Sequence, residues 1–80
     1  MKNRVLGRTG ATVSTISMGT EYLINQPQAH VDAVIHTAIE RGINYFDVFF
    51  GQGYVREIYG RAFAGYRERV MLSAHLGAVE

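Results

Sequence analysis

The chain has no cysteine, so no disulfide framework and no thiolate metal site supports its 80 residues. At this size a single core gives only marginal stability, and the staples that small chains commonly use are missing. The same absence agrees with a reducing compartment. Charge of one sign is missing too. Eight basic and seven acidic residues leave a net +1, which gives no electrostatic footprint for nucleic acid or for an anionic membrane. No apolar run reaches membrane-spanning length, and polar residues break up "MKNRVLGRTG" before a signal-peptide core develops, so a cytoplasmic protein is expected. There is no low-complexity tract, linker, metal-ligand spacing, P-loop or nucleophile elbow, and "GTEYL" is too short to count as a phosphate motif. What remains is a globular composition, 48% hydrophobic with nine glycines and one proline, of a length that fits one small domain at most.

Hydrophobic spacing orders that composition into elements. "RVLGRTGATVS" carries two short β-prone pieces around Gly7-Arg8-Thr9-Gly10 and reads as a hairpin. "STISMGT" alternates polar and apolar residues, which predicts a strand over 15–18 with Gly19-Thr20 at its edge. Pro27 opens a helix near 28–41. Its buried face is Val31, Val34, Ile35, Ala38 and Ile39, and Gly42 stops it. "INYFDV" runs without alternation, as a strand covered on both faces would, and predicts a strand over 43–47. Val55, Ile58, Tyr59, Ala62 and Phe63 repeat the helical spacing over 55–64, with Gly65 closing it, and "RVMLSAH" predicts a last strand over 70–74. Strands that alternate with helices in this order imply parallel neighbours and an α/β fold.

In such folds the functional groups gather at the carboxyl ends of the strands. Gly19-Thr20, Asp47 and His75 occupy those ends. Neighbouring strands about 4.8 Å apart would bring them within about 10 Å on one rim. Asp47 ends an apolar aromatic run, where an unpaired charge is costly to bury. It reads either as a site carboxylate or as a cap on the next loop or helix through backbone N–H groups. His75 reads either as its partner or as a strand-end histidine that bonds a loop. His30 and His36 fall off the apolar helix face and are expected in solvent. Tyr45 and Tyr59 read as core or boundary residues, Tyr54 sits just before Val55, and the run Phe46, Phe49, Phe50 reads as packing.

The pieces "LGRTGATVSTISMGT", "AIERGINYFDV" and "IYGRAFAGYRERVMLSAHLG", in this order and spacing, resemble the N-terminal part of the aldo-keto reductases. That family consists of (β/α)8 barrels that reduce carbonyls with NADPH. The resemblance implies that residues 1–80 form the hairpin, first three strands and two helices of an incomplete TIM barrel, because a complete one needs about 250 residues. Gly19 and Thr20 match the family residues beneath the nicotinamide and its amide, and Asp47 matches the active-site aspartate, which also borders the cofactor. His75 stands where the family has a lysine. Gln52, followed by Gly53, stands where it usually has the catalytic tyrosine, with Tyr54 two residues on. A histidine is mostly neutral at pH 7 where a lysine is charged, so the usual proton relay is altered. A carboxylate beside His75 would raise its pKa and orient its ring, which would let His75 act as the acid itself.

"SAHLG" also resembles a divergent branch of the superfamily whose longer members carry a C-terminal iron–sulfur region. The resemblance implies a parent oxidoreductase with NADPH as cofactor and a small carbonyl compound as partner, no metal held by these residues, and no activity of the 80-residue piece alone. Two alternatives stay open. One is a nucleotide-binding or regulatory barrel relative without redox chemistry, suggested by Gln52 and His75. The other is a non-functional truncated product, since open sheet edges and uncovered helix faces favour association over a stable monomer.

Overall fold

In the computed structural model, which describes residues 1–48 and 53–74, the chain begins as an antiparallel hairpin of β1 (Asn3–Val5) and β2 (Thr12–Ser14). The loop between them closes on Leu6, whose N–H donates to the Ala11 carbonyl at 2.8 Å and whose carbonyl accepts from Thr9 Oγ1 at 2.6 Å. Gly7 and Gly10 take positive φ in that loop, a conformation that a Cβ would strain. The predicted hairpin is therefore present, with its glycines where the turn reverses.

Three parallel strands follow: β3 (Met18–Gly19), β4 (Tyr45–Asp47) and β5 (Met71–Ser73), side by side in chain order. Helix α1 (Gln28–Glu40) carries the chain from β3 to β4, and α2 (Gly53–Phe63) lies between β4 and β5. The architecture is thus mixed α/β, as predicted, and both helices match their expected spans to within two residues. The first parallel strand does not. It covers only Met18–Gly19, because the residues before it belong to the hairpin: Thr15 N–H donates to the Lys2 carbonyl at 2.9 Å, and Ser14 Oγ donates to the Ile16 carbonyl at 2.7 Å. Ile16, within the span predicted as a strand, is 57% exposed.

The core lies between the sheet and the helices. Val31, Ile35 and Ile39 of α1 and Val55, Tyr59, Ala62 and Phe63 of α2 close over Phe46, whose ring meets that of Phe63 edge-on at 5.2 Å between centroids. Register carries this choice across the sheet. Met18, Phe46 and Leu72 form one row, and Met18 and Leu72 border the same core. The expectation that β4 is covered on both faces is corrected. Only Phe46 is buried, while Tyr45 and Asp47 are half-buried on the face opposite the helices. His36 also departs from expectation. It is half-buried between the helices, where Nε2 lies 2.7 Å from the Ala62 carbonyl and the ring stacks on Tyr66 at 4.6 Å. The wide α1–α2 contact brings α2 over the edge of the apolar stripe, a placement that helical periodicity alone does not encode. His30 is exposed as expected.

Helix α1 ends at Glu40, and two residues on Gly42 turns the chain with a φ of +99° that suits glycine; a Cβ there would stand 2.7 Å from Met1 Cβ. Just beyond, Asn44 joins the hairpin to the sheet. Its Oδ1 accepts from Ser14 N–H at 2.6 Å, its Nδ2 donates to the Thr12 carbonyl at 3.0 Å, and its own N–H donates to Ser14 Oγ at 3.1 Å. Replacing Asn44 with Ala removes both side-chain bonds and takes from the part-buried Ser14 N–H its bond to Asn44 Oδ1. We expect Asn44→Ala to lower unfolding free energy by about 2 kcal/mol in chemical denaturation. Lys2→Ala, at an exposed side chain, should stay within about 0.5 kcal/mol.

Candidate functional site

Parallel strands point their carboxyl ends the same way, and here the last residues pair as Gly19 with Asp47 and Asp47 with Ser73. At the usual strand separation of about 4.8 Å, the three span about 10 Å of rim. Because Phe46 faces the helices, alternation puts this row on the helix-free face of the sheet. Gly19 and Asp47, both expected at the site, are thus neighbours on one rim. His75, Gln52, Phe49 and Phe50 lie outside the described residues.

Thr20, expected beside Gly19, is fully buried and works as a clasp behind the rim. Its N–H and its Oγ1 both donate to the main-chain carbonyl of Asp47, at 3.1 and 3.0 Å. The hydroxyl proton is therefore committed to holding the end of β4 against the end of β3. In turn the Thr20 carbonyl accepts from Leu23 N–H at 3.0 Å, within the 3-10 turn Glu21–Leu23, and from the Tyr59 hydroxyl at 2.6 Å. Gly19 itself is exposed. A Cβ built on it would lie 3.4 Å from Glu21 Oε2, so the glutamate carboxylate leans over the glycine.

Tyr54 reaches this end of the sheet from the first turn of α2. Its hydroxyl donates to Asn25 Oδ1 at 2.7 Å, which ties α2 to the loop after β3. Asn25 holds a φ of +70°, a left-handed conformation that asparagine tolerates better than most residues. The structure thus brings Gly19, Thr20 and Asp47 together and sets Tyr54 at the loop beside them. Two participants were missed from sequence. Ser73 is the register partner of Asp47, and its signal was its place near the end of the strand predicted over 70–74. Tyr59, read from sequence as a core or boundary residue, is in the core, and a phenol on an otherwise apolar helix face signals a hydroxyl that needs a buried partner.

The described residues contain no group of three or more acidic or histidine side chains that could hold a metal ion, and no described helix is long and apolar enough to cross a membrane. No protein-family model matches the chain. It is 33% identical over 82 residues to pyridoxal 4-dehydrogenase of Microbacterium luteolum, a match that takes in 95% of this chain. The chain spans about a quarter of that relative's length, 24%.

Burial pushes the Tyr59 phenol above its ordinary pKa; the Thr20 side chain opposes this and the negative charge of Glu21 adds to it. An unfolded tyrosine ionises near pH 10, before Tyr59 does in the folded chain. Stability from the neutral phenol is therefore complete below about pH 10 and is lost as pH rises through the raised folded value. In denaturant titrations run between about pH 8 and about pH 11, the wild-type protein should lose stability with rising pH more steeply than Tyr59→Phe.

Proposed function

We propose that this chain supplies the first strand ends of an oxidoreductase of aldo-keto reductase type, a (β/α)8 barrel that moves a hydride between NADP(H) and a small carbonyl–alcohol pair. The observation that carries this reading is the row of Gly19 and Asp47 at the carboxyl ends of parallel strands, with Thr20 bonded twice to Asp47 behind it. The match to a relative named as a dehydrogenase supports it, and that name suggests an aromatic aldehyde such as pyridoxal as a first substrate to try. A groove of about 250 Å3, lined by Val48, Tyr59, Phe63 and Leu72 and also by Arg56 and Arg67, is largely apolar surface that a further strand–helix unit would cover.

The residues present suit the nicotinamide end of the cofactor. Gly19 lacks a Cβ on the helix-free face, so a flat ring can approach its backbone once the exposed Glu21 side chain swings aside. The phosphate contacts of the family come from later strands and are not expected from these residues. When bound, the nicotinamide supplies or accepts the hydride. Asp47 keeps a half-buried carboxylate on the rim, and in this proposal it orients His75 and favours its protonated form. His75 then delivers the proton to the carbonyl oxygen in reduction and takes it back in oxidation, in place of the family's tyrosine. Tyr54 borders the entrance with its hydroxyl proton given to Asn25. A cytoplasmic location fits such a reaction.

The test is turnover by the full-length protein. It should oxidise NADPH with an aldehyde such as pyridoxal present, or reduce NADP+ with the corresponding alcohol, and Asp47→Asn should lower kcat by about a hundredfold with little change in the KM for cofactor. Tight nucleotide binding with no turnover across aldehydes and alcohols would favour the binding or regulatory reading instead.

A further inference from the structure

We infer that Tyr59, a residue on the second helix outside the reacting row, is a positioning residue that holds the Gly19–Thr20 end of β3 in register with Asp47 through its buried hydroxyl. This rests on the reading of the rim as the site of hydride transfer.

The inference begins with where the hydroxyl goes. Tyr59 is 3% exposed on a helix whose other buried residues are Val55, Ala62 and Phe63, so an apolar residue would serve packing there without any polar atom to satisfy. Its hydroxyl instead crosses from the helix layer to the first residue beyond β3 and donates to the Thr20 carbonyl at 2.6 Å. Among the described residues, the other donor to that carbonyl is the local Leu23 N–H at 3.0 Å. Strand β3 itself is two residues long and, among the described residues, pairs with β4 alone. From Thr20 the network continues through the amide and the hydroxyl to the Asp47 carbonyl. One chain of hydrogen bonds therefore links α2, the residue that follows β3 and the end of β4, and the member at its far end is Asp47, the rim residue that the reaction needs aligned with Gly19.

In Tyr59→Phe the ring remains, and the Thr20 carbonyl keeps its bond from the Leu23 N–H, so that acceptor is not stranded. What is lost is the tether from α2. A tyrosine kept only for packing would tolerate this change without effect on the rim. A positioning residue would not, since catalysis is steep in the placement of reacting groups.

Two measurements on the full-length Tyr59→Phe protein decide the matter. Amide hydrogen exchange should speed up at Thr20 and Leu23 by about tenfold, the loss of one modest hydrogen bond, while Ile35 and Ile39 in α1 exchange as before. In steady-state turnover, kcat should fall by about tenfold or more with the KM for NADPH nearly unchanged. Unchanged exchange at Thr20 in the folded variant overturns the tether, whatever the activity. Faster exchange with unchanged kcat overturns the positioning role. If the wild-type protein turns over no carbonyl at all, the proposed reaction fails, and exchange at Thr20 still decides whether Tyr59 holds the rim.

Discussion

Phe46 is the residue on which both the fold and the site depend. Its complete burial between the two helices decides which face of the central strand is packed, and the two-residue period of a strand then decides where everything else on that strand goes. Because Phe46 points to the helices, Tyr45 and Asp47 leave the other way. The register on either side carries the same division to Met18 and Gly19 in β3 and to Leu72 and Ser73 in β5. A slip of one residue would turn Asp47 into the helix layer, where an unpaired carboxylate would be expensive. Hydrophobic burial and placement of the aspartate are thus one constraint seen from two faces of a sheet.

Around that constraint, short side-chain hydrogen bonds do what three-residue strands are too short to do alone. At the amino end of the sheet, Asn44 joins β4 to the hairpin through both ends of its amide. At the carboxyl end, Thr20 joins β3 to β4 and Tyr59 joins both to α2. Between the helices, Gln28 Nε2 donates to the Ile58 carbonyl at 2.9 Å while its Oε1 accepts from Arg61, so the two crossovers are held side by side. Thr20 and Tyr59 are buried and Asn44 and Gln28 half-buried, and each has a partner, which is the condition for a buried polar group to stabilise the fold at all.

The chemistry proposed for the rim follows from two substitutions seen against the resembling family. A histidine in place of a lysine gives up a permanent positive charge for a group that titrates near neutrality, and so makes the neighbouring carboxylate more consequential. A glutamine in place of the tyrosine removes the usual proton donor. If the acid is His75, the burden on Asp47 rises from supporting a relay to setting the protonation state of the acid itself, and the alignment of β3 and β4 through Thr20 becomes part of that task.

Much of the architecture was legible because it depends on local periodicity. The five-position faces of α1 and α2 and the glycines at the hairpin and helix ends specify their elements without reference to the rest of the chain. Alternating helices and strands implied parallel pairing, and parallel pairing implied a common rim for Gly19 and Asp47. The remainder depended on distant partners. Strand β3 begins at Met18 rather than at Thr15 because Lys2 and Asn44, far off in sequence, hold the residues around Ser14 to the hairpin. His36 leaves solvent because α2 happens to lie across it, and Thr20 proves to be a clasp because the carbonyl it meets is 27 residues away. A pattern of apolar residues records which face of an element is buried. It does not record which polar atom meets which across the fold, because those pairings exist only once the elements are in contact, and that is why the role of Tyr59 is visible in the tertiary structure alone.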